Sequence, residues 1–295
     1  MTETTRFAAD TSMGAVTLNV ADLDGMTRYY GDAIGLDVLD ATGPRVVLGR
    51  ANAAEGPRPV VALHHTPELR HAGPRDAGLF HTAILFDTKA ALAAAVYSVA
   101  QKHPGTFTGS SDHFVSNAFY FDDPEGNGVE LYWDTERSSW SWVHGTIEMG
   151  TVFLDPNRFL AENMTEEGLS GPLAGDARVG HIHLSVGDTE TARAFYVDQL
   201  GFDETIAIPG QAVFVSAGGY HHHMAMNVWN SRGAGRRQQT LGLGRVDIEV
   251  PSTDDLGALG ERLDHYGIAT RDDGRAVEVD DPWGNLILVT TPERG

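Results

Sequence analysis

The chain contains no cysteine, which excludes disulfides, thiolate metal sites and a cysteine nucleophile, so any metal must be held by His, Asp or Glu. Basic residues are scarce as well. Lys and Arg number 21 against 41 Asp and Glu, for a formal charge of -20, and Lys89 and Lys102 are the only lysines. A chain this acidic, with no basic run, is repelled by nucleic-acid backbones and anionic membranes, so neither is expected as a partner. Long apolar runs are also missing: nothing approaches the ~20 residues a membrane-spanning helix needs, and Met1 to Ser12 lacks the apolar centre of a signal peptide. A cytoplasmic protein is expected. The length of 295 residues suits two ordinary domains, each able to bury a core.

What the chain does have is an internal repeat. Val16-Thr-Leu-Asn-Val-Ala-Asp22, followed by Tyr30 and Gly35, matches Ile182-His-Leu-Ser-Val-Gly-Asp188, followed by Tyr196 and Gly201. Asp122-Asp-Pro-Glu-Gly-Asn127 matches Asp280-Asp-Pro-Trp-Gly-Asn285 in the same way, and two such matches mark a repeat architecture. Within a unit, the alternation of Val16, Leu18 and Val20 predicts a half-buried strand, and Asp22 or Asp188 then caps a helix whose Tyr30 or Tyr196 faces inward. The Asp-Pro-x-Gly-Asn pieces are hairpin turns. Strand starts fall near Gly14, Leu79, Gly180 and Gly244, and helices near 22 to 33, 88 to 103, 188 to 199 and 252 to 266. The expectation is four βαβββ modules, at 12–66, 78–134, 179–230 and 241–291. They form a first domain, 12–134, and a second, 179–291, with 135–178 as a packed linker carrying Trp140, Trp142 and Leu154.

The repeats, the Gly-x-x-x-Leu-x-Val openings and the Asp-Pro-x-Gly-Asn hairpins resemble the vicinal oxygen chelate superfamily of glyoxalase I, bleomycin-resistance proteins and type I extradiol dioxygenases. Gly78-Leu-Phe-His-Thr-Ala-Ile-Leu85 and Ala217-Gly-Gly-Tyr-His-His-His-Met-Ala225 are similar to segments of catechol 2,3-dioxygenases of the CatE type. The resemblance implies an α+β fold in which modules pair into two open, cupped β-barrels. It also implies metal ligands at the start of a module's first strand and on its last strand. Those first-strand slots hold Ala15, His81, His181 and Arg245, and the last-strand slot holds Glu130 in the second module and Leu288 in the fourth. If the second module pairs with the third, His81, Glu130 and His181 make a complete set of two histidines and one carboxylate, the facial triad of non-haem Fe(II) oxygenases. If modules pair in chain order, His64 or His65 on the last strand of the first module is the rival ligand. A lone strand histidine is more often structural, but the repeat-specific slots of His81 and His181 argue for ligands.

The resemblance further implies His222, the second of two adjacent histidines, as acid/base residue, and Tyr120, ten residues before Glu130, as an active-site tyrosine. His221, His222 and His223 are placed on a strand, with His222 facing opposite to its neighbours. The Asp-Pro-Glu-Gly turn between Tyr120 and Glu130 breaks any argument from alternation, so Tyr120 rests on family spacing. His113 is a candidate substrate-binding or structural histidine. The implied function is Fe(II)-dependent cleavage of a catechol with O2 to a muconic semialdehyde, with Mn(II) acceptable to the same ligands; the family often forms homo-oligomers, but no interface segment in this sequence decides the assembly. The alternatives are a metal-dependent glyoxalase-like lyase or isomerase, for which the last-strand residue of the third module is nearer Asn227 than a Glu, and a non-enzymatic small-molecule (antibiotic) binder.

Overall fold

Each repeat opens with a strand, and a short polar side chain then starts its helix. Asp22 accepts from the N–H of Gly25, Thr88 from Ala91, Asp188 from Thr191 and Ser252 from Asp255, so all four helices begin on an N-cap of the favoured type. The structure is a computed structural model that describes residues 6–54 and 56–292. The first repeat comprises β1 (Ser12–Val20), α1 (Leu23–Arg28), β2 (Asp37–Thr42), β3 (Arg45–Arg50) and β4 (Arg58–His65). The second comprises β5 (Gly78–Phe86), α2 (Lys89–Lys102), β6 (Phe107–Asp112), β7 (Ser116–Asp122) and β8 (Gly128–Asp134). A connecting stretch follows, with β9 (Trp142–Val143), β10 (Thr146–Ile147), β11 (Val152–Phe153) and α3 (Pro156–Asn163). The third repeat holds β12 (Ala177–Ser185), α4 (Thr189–Arg193), β13 (Asp203–Ile208), β14 (Ala212–Ser216) and β15 (Met224–Asn227). The fourth holds β16 (Gly242–Glu249), α5 (Thr253–His265), β17 (Thr270–Asp272), β18 (Ala276–Asp280) and β19 (Leu286–Thr290).

The fold is α+β, with two large, open, mixed sheets. One has eight strands in the order β17-β18-β19-β16-β1-β4-β3-β2, the other nine in the order β11-β6-β7-β8-β5-β12-β15-β14-β13. Repeats one and four thus contribute to the first sheet, and repeats two and three to the second. By compactness the chain divides differently, into Leu18–Leu69 with His81–Gly180, and Met1–Thr17 with Arg70–Phe80 and His181–Gly295.

Each of these units carries the same buried polar device. In the first, the Tyr30 hydroxyl donates to Asp123 (3.1 Å), whose carboxylate also accepts from the backbone of Glu125 and from the backbone and side chain of Asn127. In the second, the Tyr196 hydroxyl donates to Asp281 (2.9 Å), which accepts from Trp283 and from both groups of Asn285. This is the physical content of the repeated Asp-Pro-x-Gly-Asn motif: its second Asp closes the hairpin internally and ties it to a tyrosine from the preceding repeat's helix. Both tyrosines lie in a wide helical turn continuing α1 or α4, at Tyr29–Ala33 and Ala194–Gln199, and both are fully buried.

In the connecting stretch Trp140, Ile147 and Phe159 are buried, the last with its ring 4.9 Å from that of Phe119. Trp142, which the sequence suggested as packing, is 45 % exposed. No helix among the described residues is long and apolar enough to cross a membrane.

Candidate metal centre

β5, β7 and β8 lie side by side, and their register brings the chemistry to one face. Parallel pairing sets Ala83 opposite Glu130, and antiparallel pairing sets Tyr120 opposite Glu130. Side chains two apart share a face, so His81 joins Ala83 and Leu85, which with Ala118 and Tyr132 form a buried apolar cluster against which Tyr120 packs. His81 Nε2 lies 3.0 Å from Glu130 Oε2, and both side chains are buried. The tight turn between Tyr120 and Glu130 folds β7 back on β8, so strand pairing makes the two residues neighbours where alternation along a single strand could not.

Tyr120 is held neutral: burial, then the charge of Glu130 and a hydrogen bond to it, push its phenol well above the ordinary tyrosine range. The hydroxyl also lies 2.7 Å from His113 Nε2. The other ring nitrogen of His113, Nδ1, is 2.6 Å from the Gly150 carbonyl, which can only accept, so Nδ1 carries a proton. Gly150 N–H donates in turn to the His113 carbonyl (3.2 Å). The connecting stretch therefore grips His113 by two hydrogen bonds. A side chain at Gly150 would put its Cβ 2.5 Å from the Phe114 ring, so the grip needs glycine.

In the third repeat His181 is buried on β12 directly after Gly180. A Cβ at Gly180 would sit 1.7 Å from the Tyr132 hydroxyl, so β12 approaches that ring only because the residue is glycine. The three consecutive histidines are not on a strand. Gly218 and Gly219 adopt left-handed angles (φ 60° and 67°), and β15 begins only at Met224. Alternation therefore does not apply, and His221, His222 and His223 are all buried. His221 and His222 lie on the same side, Nδ1 to Nδ1 at 2.8 Å, so one donates to the other. The His222 ring is 4.1 Å from that of His181. His223 Nδ1 accepts from the Ala217 N–H (3.1 Å), which makes it a brace for the turn.

His81, Glu130 and His181 each offer one ligand atom, and the three atoms lie within 4.8 Å of one another. Two imidazole nitrogens and a carboxylate oxygen, all buried, fit a divalent first-row metal by donor chemistry. His64 and His65, the rival ligands, are exposed at the end of β4, with His65 Nε2 3.1 Å from the Ala21 carbonyl. The register also corrects the slot in the third repeat. Just as Ala83 faces Glu130, His183 faces Ala225, so the position equivalent to Glu130 holds Ala225. Asn227 instead accepts from the Trp229 N–H through Oδ1 (3.0 Å) and meets His183 Nε2 through Nδ2 (3.0 Å). Sequence reasoning missed His183, although its place two residues after His181 on a strand was a usable signal.

The sequence model of the Glyoxalase/Bleomycin resistance protein/Dioxygenase superfamily matches residues 12–131 and 178–289. The chain is 35 % identical over 283 residues to the catechol-2,3-dioxygenase of Bacillus subtilis (strain 168), covering 95 % of this chain and 96 % of that one. Among solved structures, one protein of Bacillus subtilis subsp. subtilis str. 168 superposes with a TM-score of 0.65 at 14 % identity, over 99 % of this chain and 87 % of the other. Glyoxalase I from Zea mays superposes with a TM-score of 0.55 at 16 % identity, over 96 % and 92 %. The structural likenesses speak to the fold alone. The two matched segments cover most of the chain, and the protein belongs to this superfamily.

Proposed function

We propose that this protein is an extradiol ring-cleaving dioxygenase, opening a catechol with O2 to a muconic semialdehyde. The observation that carries the reading is the buried set of His81, Glu130 and His181, with donor atoms within 4.8 Å of one another and no second carboxylate at Ala225, in a chain 35 % identical to a catechol-2,3-dioxygenase. These three residues would hold Fe(II); Mn(II) suits the same donors, and the ligand set alone does not choose between them. Such a metal, when bound, supplies adjacent open positions where catechol and dioxygen meet with the right orientation.

The chain's own residues then handle protons and position. His222 accepts a proton from a catechol hydroxyl and returns it as the ring opens, and imidazole is suited to both directions near neutral pH. Tyr120, kept protonated by burial and by Glu130, has a single O–H, which turns from Glu130 to a substrate oxygen when substrate is bound. His113, oriented by Gly150, sets the direction of the Tyr120 hydroxyl. Both atoms of O2 enter the product as the carbon–carbon bond beside the hydroxyl pair breaks, leaving one carboxylate and one aldehyde. A glyoxalase-like lyase is the weaker reading, because enzymes of that kind generally use two carboxylates and Ala225 stands where a second would be. A cytoplasmic location belongs to the same proposal.

The test is oxygen uptake together with yellow ring-fission product, after anaerobic loading with Fe(II) and addition of catechol or a substituted catechol in air. Matched uptake and product are expected, with His222→Ala lowering turnover about 10²- to 10⁴-fold, the usual share of general acid–base catalysis. Metal uptake without oxygen consumption on any catechol would overturn the reading.

A further inference from the structure

Beside His181 an aromatic surface runs outward within the third repeat and the start of β5. His183 projects from the same face of β12 as His181, two residues on, a displacement of about 7 Å along a strand. Its ring lies 4.9 Å from Phe80, 5.4 Å from Trp229 and 5.8 Å from Phe214. Phe80 and Trp229 meet edge to face at 5.3 Å, and Phe214 meets His222 at 5.2 Å. The surface is thus continuous from the His181 and His222 rings, through Phe214 and His183, to Trp229.

Two features suggest that this surface serves more than the core. Trp229 is 48 % exposed, so a large part of its ring has no cover within the protein. It is also held still. Its ring packs edge-on against Phe80 and His183, while its backbone N–H donates to Asn227 Oδ1 and the Asn227 amide meets His183. An exposed indole seated on two aromatic rings gives up side-chain freedom, and core packing does not require it. Fixed aromatic faces of this kind take up flat apolar groups by stacking or edge contact.

We infer that Trp229, with Phe80 and His183, receives an aryl or other bulky apolar substituent on the ring of the substrate, so that the preferred substrate is a substituted catechol and not catechol itself. The inference rests on the dioxygenase reading for the identity of the ring, but the wall can be tested without turnover. In metal-free protein, quenching of tryptophan fluorescence on titration with a phenyl-substituted catechol, compared with catechol, reports binding at the wall. Wild type binds the phenyl-substituted compound more tightly. Trp229→Ala reduces that preference about two- to tenfold, the range expected from one aromatic contact, and Trp229→Phe restores part of it. Equal preference in wild type and Trp229→Ala would overturn the inference, as would a wild type with no preference. In the Fe(II)-loaded enzyme, the ratio of kcat/KM values for the two substrates should move with the binding ratio. Absence of turnover on both compounds with the binding preference intact would count against the dioxygenase reading and leave the wall standing.

Discussion

At the scale of single residues the site depends on what is missing as much as on what is present. Gly180 precedes His181 and lets β12 come against the Tyr132 hydroxyl; a methyl there would overlap that oxygen at 1.7 Å. Tyr132 is fully buried and cannot swing aside, so Gly180→Ala is overpacking and should cost about 1–3 kcal/mol of stability. Urea unfolding measures it. Adding Tyr132→Phe removes the closest atom but not the ring, and the double variant should recover part of the loss as a non-additive gain. If Gly180→Ala unfolds like wild type, the close approach of β12 to Tyr132 does not exist. His113 makes a similar point by hydrogen bonding. Nothing in its own sequence neighbourhood shows that Gly150, 37 residues away, orients its ring.

At the scale of elements, the four N-caps and the two Asp-Pro-x-Gly-Asn hairpins were legible in the sequence, because capping and turn chemistry are local. The partners of the hairpins were not. Tyr30 with Asp123 and Tyr196 with Asp281 join one repeat to the next over 93 and 85 residues, a distance at which local rules carry no information. The run His221 to His223 read as strand because its composition suits one. Two glycines at positive φ decided otherwise, turning the chain until Met224. The hairpin carboxylates yield a pH prediction. Burial pushes Asp123 up from 3.8 to about 6, so between these values the folded chain holds a proton that the unfolded chain has released. The contribution of Asp123 to stability is full below pH ~3.8, falls as the pH rises, and is lost above about 6, for a total of about 3 kcal/mol at 1.36 kcal/mol per unit. Asp281 shifts in the same direction for the same reason. Asp123→Asn keeps the side-chain shape, loses an acceptor and does not titrate. Relative to this variant, wild type should become less stable by about 2 kcal/mol between pH 4 and pH 7. A difference that stays constant with pH would show that Asp123 ionises normally in the fold.

At the scale of the whole molecule, the repeat announced itself in the sequence, whereas the order of strands in the two sheets did not follow from it. Inward-facing apolar residues alternate in the same way in the repeats, so periodicity cannot say which repeats share a sheet. Only the chemical residues broke the tie, since His81, Glu130 and His181 make sense together and Ala15, Arg245 and Leu288 hold no ligand. This gathering has a thermodynamic consequence. The three donors come from positions up to 100 residues apart, so the unfolded chain has no equivalent site, and a metal that binds only the folded state must stabilise it by mass action. At a free metal concentration about a hundredfold above Kd the gain is about 2.7 kcal/mol. For a chain of this length that raises the melting temperature by roughly 4 °C by the usual scaling. Thermal melts with anaerobic Fe(II), or with Mn(II) in air, should show this rise and its reversal by a chelator. His81→Ala and Glu130→Gln should melt at the same temperature with and without metal. A metal-dependent rise that survives both substitutions would locate the metal elsewhere in the chain and remove the ligand set on which the proposed chemistry depends.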